Sequence, residues 1–215
     1  CSQEWHESSS MIDVQQRIAE LRVTLRCGDF PGGSTDTVDG LIEMIEATQP
    51  KKVLEIGSGR GVSTEVFLLH CEHVVSVDPY DFFPERRHYD IELSPGWRAA
   101  FESRCGGYPN LTAVRGFSPD ALLKMAPQYF GYFDLLYVDG NHEYQQVFDD
   151  VRAGWHLVCE DGWLAGHDYL TPGNDHNVIA AVDAMFGKEN LTIFSDTSWL
   201  IRRPVQQPGA VVGGL

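Results

Sequence analysis

Short apolar runs and amphipathic segments alternate along the chain from residue 52 onwards, and this alternation restricts the fold more than any other feature. The apolar runs have the length of buried strands, and the segments between them space their apolar residues as helices do. Repeated βα units of this kind build a parallel sheet with right-handed crossovers and helices on both faces. We therefore predict an α/β fold with a doubly wound, mostly parallel sheet. The predicted strands are 52–56, 73–77, 111–114, 133–138, 162–166, 191–194 and 198–201, and the predicted helices lie within 62–70, 119–125, 144–155 and 178–185.

The two ends of the chain differ from this pattern. Met11, Val14, Ile18, Leu21 and Leu25 recur at helical spacing and predict a first amphipathic helix, which the segment 27–33 breaks. Thr35 or Asp36 is the predicted cap of a second helix, whose apolar stripe is Val38, Leu41, Ile42 and Ile45. Asp196-Thr197 separates the last two strands and predicts an antiparallel hairpin. The domain organisation that follows is N-terminal helices in 1–50, one main domain in 51–203, and a flexible Gly/Pro-rich tail in 204–215.

Composition narrows the possible partners and compartments. A formal net charge of −15 would repel the phosphates of a nucleic acid, so we expect no DNA or RNA partner. No apolar run approaches the length of a membrane span, so we also expect no membrane association. The five scattered cysteines form no CxxC pair and are typical of a reducing compartment, and residues 1–5 lack signal-peptide features, although without an initiator Met the start can be a trimmed one. These features together predict a cytoplasmic protein.

A glycine-rich loop follows the first strand of the main domain and precedes a helix. It contains Gly57, Gly59 and Gly61, and glycines let a backbone approach a ligand closely or adopt positive φ. Asp78 ends the next strand, where an acid can accept hydrogen bonds from both hydroxyls of a ribose. A tight βα turn is the alternative for the loop alone. A dinucleotide-dependent oxidoreductase is the alternative for the pair, but its GxGxxG pattern places the third glycine one residue later.

The segment Val53-Leu54-Glu55-Ile56-Gly57-Ser58-Gly59-Arg60-Gly61 resembles motif I of class I S-adenosylmethionine (SAM)-dependent methyltransferases. The resemblance extends from about Lys51 to Arg203 and includes the terminal hairpin, which dehydrogenases lack. It implies a Rossmann-like sheet of seven strands, of which the last is antiparallel, with the helices of 1–50 covering the cofactor and acceptor site. It also implies SAM as the cofactor. The residues expected to bind SAM are Glu55, Gly57, Ser58, Gly59, Gly61, Asp78, Ser118 and Asp139.

Two later loops are similar to those of O-methyltransferases acting on small molecules, including sugar and catechol-type enzymes: Asp139-Gly140-Asn141-His142-Glu143-Tyr144 and Gly166-His167-Asp168-Tyr169. In the catechol-type enzymes a divalent metal binds the acceptor hydroxyl and lowers its pKa. The matching positions here are Asp139, His167 and Asp168. An imidazole in this set favours Mn²⁺, Fe²⁺ or Zn²⁺ over the all-oxygen preference of Mg²⁺, so Mg²⁺ and Mn²⁺ both stay open. The alternative is that both aspartates only cap the helices that follow.

His142 occupies the position at which the catechol-type enzymes carry a catalytic lysine, so the resemblance implies His142 as general base, with Asp139 beside it. A surface histidine in a first helical turn is the alternative. Asp175 and His176 are weaker candidates. Aromatic and basic residues between Asp78 and Asn110 suggest a lid or acceptor wall, or otherwise a covering helix: Tyr80, Phe82, Phe83, Arg86, Arg87, His88, Tyr89 and Trp97.

The resulting hypothesis is methyl transfer from SAM to an oxygen of a small-molecule acceptor with divalent-metal assistance. The alternatives are a nucleotide-dependent oxidoreductase and a non-catalytic SAM-binding protein. The sequence leaves the identity of the acceptor and the oligomeric state open, with a homo-oligomer among the expected states.

Overall fold

The structure, a computed structural model, describes residues 13–26, 38–80, 96–169 and 176–207. Seven α-helices and seven strands lie within these ranges. The helices are α1 Val14–Arg26, α2 Asp39–Thr48, α3 Val62–His70, α4 Trp97–Cys105, α5 Asp120–Tyr129, α6 Tyr144–Gly154 and α7 His176–Phe186. The strands are β1 Lys52–Ile56, β2 His73–Asp78, β3 Leu111–Arg115, β4 Phe133–Val138, β5 Val158–Gly166, β6 Thr192–Ile193 and β7 Trp199–Arg202. Short 3₁₀ helices are formed by Trp155–Leu157 and Lys188–Asn190.

The strands form one seven-stranded sheet in the order β3-β2-β1-β4-β5-β7-β6. Neighbours from β3 to β5 are parallel, whereas β7 runs antiparallel to both β5 and β6. The predicted doubly wound sheet and terminal hairpin are therefore confirmed. The strand order reverses between β1 and β4, because β2 and β3 are added on one side of β1 and β4 and β5 on the other, and ligands of such sheets bind beyond the carboxyl ends of the strands at this point.

Two apolar clusters cover the two faces of the sheet. Successive residues of a strand point to opposite faces, so Leu136 and Val138 of β4 pack with α5, α6 and α7, whereas Leu135 and Tyr137 pack with α1 to α4. Residues 135–138 of β4 are all buried, which explains why the sequence of these four positions is continuously apolar. The central strands are thereby fixed, and their carboxyl ends become a rigid platform for the loops.

The start of α2 is stabilised by a distant residue. The backbone amide of Leu41 donates to Asp196 Oδ2 over 2.8 Å, and a Cβ on Gly40 would lie 2.0 Å from Asp196 Oδ1. Asp196 belongs to the turn between β6 and β7, so the hairpin supplies a cap to α2. The predicted local caps, Thr35 and Asp36, lie outside the described residues, as do Met11 and the segment 27–33.

Several element limits differ from the prediction. β5 begins four residues early, at Val158, because its pairing with β4 shifts register between Phe133 and Leu135. Helix α4 was not among the predicted helices and corresponds to the alternative of a covering helix in the segment 79–109. In the predicted tail, Gln207 Nε2 donates to the carbonyl oxygen of Arg152 over 2.8 Å, and residues 208–215 lie outside the described part. Within the described residues, no helix is both long and apolar enough to span a bilayer.

Candidate functional site

The glycine-rich loop joins β1 to α3 with three glycines in the left-handed region, at φ +85° for Gly57, +50° for Gly59 and +84° for Gly61. A Cβ on Gly57 would lie 2.1 Å from the carbonyl oxygen of Asp139, so no larger residue fits there. Gly61 is the cap residue of α3 and has no side chain to offer to the amide groups of the first helical turn. Such a helix N-terminus favours the negatively charged part of a ligand.

Asp78 ties this loop to the end of β2. Its Oδ2 accepts hydrogen bonds from the amides of Ser58 at 2.9 Å and Gly59 at 3.0 Å, and its Oδ1 accepts one from the amide of Tyr80. A carboxylate has about four acceptor positions, and backbone amides occupy three of those on Asp78. Asp78 therefore shapes the loop in addition to any contact it makes with a ribose.

Glu55 lies beneath the loop rather than at its surface. Its side chain is fully buried, and its two oxygens accept hydrogen bonds from the hydroxyls of Ser63 and Thr64 in the first turn of α3. Burial raises the pKa of Glu55 to about 7, although the two hydroxyls favour the charged form. Ser63 and Thr64 were not among the predicted site residues, because a Ser-Thr pair in a first helical turn has no distinctive sequence pattern.

Ser118 lies beyond the end of β3, beside a cleft of about 730 Å³. Its carbonyl oxygen accepts a hydrogen bond from Gln146 of α6, and Gln146 also donates to Asp150 Oδ1 over 2.8 Å. Burial raises the pKa of Asp150 to about 6. The sequence offered one signal for Asp150, a carboxylate between inward-facing Val147 and Val151. The cleft is lined by Pro79, Val114, Arg115, Gly116, Phe117, Asp120, Ala121, Lys124, Met125 and Gln128.

A second group of polar side chains lies beyond β4 and β5. His142 Nε2 is 2.9 Å from Asp168 Oδ2 and 3.9 Å from Asp139 Oδ1, and one ligand atom from each of these residues lies within 4.8 Å of the others. The backbone amide of Asp139 donates to the carbonyl oxygen of Ile56 over 2.8 Å, which places this group directly beside the glycine-rich loop. Two carboxylates and one imidazole form a donor set suited to a divalent cation such as Mn²⁺ or Zn²⁺.

The imidazole that has a ligand atom within 4.8 Å of both carboxylates belongs to His142, the predicted base, and the metal-ligand role that the resemblance implies for His167 stays a prediction. His167 donates its backbone amide to the carbonyl oxygen of Val138 and has its Nδ1 3.3 Å from Asp168 Oδ1. Asp168 has φ +63°, a left-handed conformation that aspartate tolerates better than most residues. This turn directs Asp168 towards His142, whereas His167 contacts the other oxygen of the same carboxylate.

The protonation states of Asp139, His142, His167 and Asp168 depend on one another, because the two carboxylates and two imidazoles lie close together. Burial disfavours the charged form of His142, but hydrogen bonds to Asp139 and Asp168 outweigh it and raise the pKa of His142 well above its usual value of about 6.5. Burial also opposes the charge of Asp168, yet hydrogen bonds from both histidines keep its pKa well below the usual range. Burial raises the pKa of Asp139. Without a cation, His142 is therefore protonated near neutral pH.

The predicted acceptor wall is described only in part. Tyr80 is 4% exposed and packs its ring against Phe101 of α4, with ring centroids 5.0 Å apart, so it is a buried residue. Trp97 begins α4 and lies over the glycine-rich loop, with two ring atoms 3.7 and 3.9 Å from the Cβ position of Gly59. The remaining residues of the predicted wall, from Phe82 to Tyr89, and Asp175 lie outside the described residues. His176 is the first residue of α7.

The sequence matches the model of a family described as a methyltransferase domain over residues 54–169, which is more than half of the chain. The matched span contains the glycine-rich loop, Asp78, Asp139, His142 and Asp168. No curated protein matches the sequence.

Solved structures of methyltransferases have the same fold. An O-methyltransferase from Bacillus cereus in complex with SAH aligns at a TM-score of 0.57 and 13% identity, over 91% of this chain and 93% of that one. TomG, an O-methyltransferase from Streptomyces achromogenes involved in tomaymycin synthesis and solved with SAM, aligns at 0.58 and 12%, over 90% and 91%. An SAH-bound methyltransferase from Podospora anserina aligns at 0.58 and 15%, over 95% and 99%. These likenesses confirm the predicted Rossmann-like fold.

Proposed function

The chain belongs to this family of methyltransferase domains, and on that premise we propose that it transfers the methyl group of SAM to an oxygen of a small-molecule acceptor, with a divalent metal ion beside the acceptor. The contact between the two parts of the site carries the proposal. Gly57 of the glycine-rich loop lies directly against the carbonyl group of Asp139, whose side chain belongs to the Asp139–His142–Asp168 group. A donor on the loop and an acceptor at the carboxylates would therefore be neighbours, as an in-line displacement requires.

The residues around the loop fit SAM. When bound, SAM supplies a methyl group on a positively charged sulfur. Gly57 and Gly59 hold the loop backbone in left-handed conformations, and the first turn of α3 would offer amide groups to the carboxylate of the methionyl arm. We assign the ribose to Asp78 and the adenine to the Ser118 segment beside the cleft. Glu55 acts from below by fixing Ser63 and Thr64.

The donor set beyond β4 and β5 fits a divalent metal. When bound, such an ion would polarise an acceptor hydroxyl and lower its pKa. We assign Asp139 and Asp168 as the residues that hold it, because their carboxylates face one another across His142. A mixed oxygen and nitrogen environment favours Mn²⁺ at least as much as Mg²⁺.

The hydroxyl proton then passes to His142 Nε2. A protonated imidazole cannot accept it, and the two carboxylates keep His142 protonated while no cation is present. If Asp139 and Asp168 held a divalent cation, their charge would be offset, the pKa of His142 would fall, and its neutral imidazole would be available as a base. Ligation of the metal by His142 itself is the alternative, and it predicts that loss of His142 lowers metal affinity as well as activity.

Calorimetric titration with SAM tests the cofactor assignment. We expect a dissociation constant in the micromolar range, on the order of −8 kcal/mol. Asp78→Ala should weaken binding by roughly 10- to 100-fold, because the buried carboxylate that holds the loop amides beside the proposed ribose position is removed. Asp134→Ala is the matched control, since Asp134 Oδ2 also accepts two backbone amides, from Lys51 and Lys52 at 2.9 Å each, but at the opposite edge of the sheet.

Wild-type protein that is folded and binds no SAM would contradict the proposal. A parallel titration with NADH addresses the oxidoreductase alternative, and preference for NADH over SAM would contradict methyl transfer. Equal losses of SAM affinity in Asp78→Ala and Asp134→Ala would show that Asp78 acts through the stability of the sheet and not at the ligand.

A further inference from the structure

One side of helix α4 packs against the glycine-rich loop. A Cβ on Gly61 would lie 2.7 Å from Cys105 Sγ and 3.0 Å from the ring of Phe101. One helical turn further towards the start of α4, two ring atoms of Trp97 lie 3.7 and 3.9 Å from the Cβ position of Gly59, which is an ordinary van der Waals separation. The stripe of Trp97, Phe101 and Cys105 therefore forms a wall over the loop on which the methionyl arm would rest.

Trp97 differs from the other two residues of this stripe. Phe101 is 2% exposed and Cys105 is fully buried, so both are core residues. Trp97 keeps part of its large ring exposed at the end of the helix, at the level of Gly59. Packing in the core thus accounts for Phe101 and Cys105. The indole of Trp97 lies beside Gly59 and is partly exposed, so a ligand on the loop could contact it.

The chemistry of an indole face selects positive charge. Aromatic faces attract cations within about 6 Å of the ring centroid, and tryptophan does so most strongly. Trp97 already has one cation near its ring, the Arg60 guanidinium carbon at 6.0 Å from the centroid. This distance is at the outer limit of the interaction, so a ligand cation that approaches more closely would gain more from the ring than Arg60 does.

We propose that Trp97 is a specificity-determining residue of the cofactor site, whose ring contacts the sulfonium of SAM and favours SAM over the uncharged thioether product, SAH. This inference rests on the proposed function. SAM and SAH share the adenosine, the ammonium and the carboxylate, so the ratio of their affinities reports on the methyl group and the positive charge that only SAM carries on its sulfur. A residue that prefers the sulfonium also helps the product to leave after transfer, because the attraction disappears with the charge.

Calorimetric titration of SAM and SAH against wild type, Trp97→Phe and Trp97→Leu tests the proposal. Trp97→Leu should weaken SAM binding by about 3- to 30-fold, the range of a partly desolvated cation–π contact. SAH binding should weaken less than SAM binding does, because SAH loses only the packing of its amino-acid arm against the indole and no contact of a positive charge with the ring. Trp97→Phe keeps a ring of weaker cation affinity and should fall between wild type and Trp97→Leu for SAM.

Trp163→Leu is the matched control. Trp163 on β5 is also a partly exposed indole with an arginine over its ring, Arg202 at 4.8 Å, and lies away from the loop. It should leave the affinities for both ligands unchanged. Thermal unfolding of each variant, with circular dichroism, verifies that α4 still folds.

Equal losses for SAM and SAH in Trp97→Leu, or no loss for SAM, would overturn the assignment of Trp97 while leaving the proposed function intact. Folded wild-type protein that binds neither ligand would contradict the proposed function, and the role of Trp97 with it. A larger loss for SAM than for SAH, graded from Phe to Leu, is the result that supports the proposal.

Discussion

Replacing Glu55 with glutamine tests whether its buried carboxylate has a structural role. Glu55 is fully buried under the glycine-rich loop, and its oxygens are occupied by the hydroxyls of Ser63 and Thr64. Burial raises its pKa from 4.5 to about 7, so the folded protein holds the proton more tightly than the unfolded chain does. Its contribution to stability is therefore fully present below about pH 4.5 and is lost as the pH rises through about 7.

The size of this effect follows from the difference between the two pKa values. A change from 4.5 to about 7 corresponds to a free energy of unfolding that falls by about 3 kcal/mol between acidic pH and pH 8 or above. Glutamine carries no charge and escapes this loss, but it accepts fewer hydrogen bonds than a carboxylate. We therefore expect Glu55→Gln to be more stable than wild type at pH 8 by about 1–3 kcal/mol, and not more stable at pH 4.5.

Urea unfolding at pH 4.5, 6 and 8 measures this difference directly. Glu65→Gln is the matched control, because Glu65 is also a buried glutamate of the same face but is paired with Arg17 at 2.7 Å and accepts from Tyr108 at 2.9 Å. Glu65→Gln should be less stable than wild type at pH 8, where Glu55→Gln is expected to be more stable, since Arg17 loses its buried carboxylate partner and keeps only the exposed Glu20. A Glu55→Gln variant that is less stable than wild type at pH 8, or a stability difference that does not change with pH, would refute the reasoning.

Three further outcomes follow from the site. Gly57→Ala should unfold at least about 2 kcal/mol more easily than Gly131→Ala in urea, because both glycines have positive φ but only the Cβ at 57 meets backbone, 2.1 Å from the Asp139 carbonyl oxygen; equal costs would remove the steric argument. Chelation should abolish methyl transfer with SAM affinity nearly unchanged, and Mn²⁺ should restore turnover at least as well as Mg²⁺; full activity in metal-free protein by elemental analysis would reject the metal. His142→Ala should lower kcat by about 10²- to 10⁴-fold with metal content and SAM affinity retained, and a His142→Gln variant within a few-fold of wild type would show that another group is the base.

The central sheet was predictable because local sequence and buried position agree. β4 matches its predicted limits at Phe133 and Val138. Its apolar run is interrupted only by Asp134 and is bounded by glycine and charged residues, a pattern typical of a buried strand. Helix α4 was less accessible, because arginines at 98 and 104 interrupt a thin apolar stripe. The contact between Trp97 of this helix and the glycine-rich loop is visible only in the folded structure.

The candidate site was predictable in its location and less so in its contacts. Parallel strands bring Asp78, Asp139 and Asp168 to the same edge, and the sequence is sufficient to place them there. The sequence predicts His142 as the base and His167 as a metal ligand, but the position of each imidazole relative to Asp168 depends on a left-handed turn at Asp168, for which a non-glycine residue gives no signal. Glu55 was expected at the ligand, but its hydroxyl partners eight and nine residues later place it in the interior.

A crystal of the protein soaked with SAH and Mn²⁺, measured at an energy where manganese scatters anomalously, tests the proposed function most directly. We expect SAH to lie along Gly57 to Gly61 with its ribose at Asp78, and one anomalous peak to lie within ligand distance of the Asp139 and Asp168 carboxylates. SAH bound elsewhere, or an ordered and empty glycine-rich loop at saturating SAH, would contradict the cofactor assignment. SAH in place with no anomalous peak at the two carboxylates would contradict the metal.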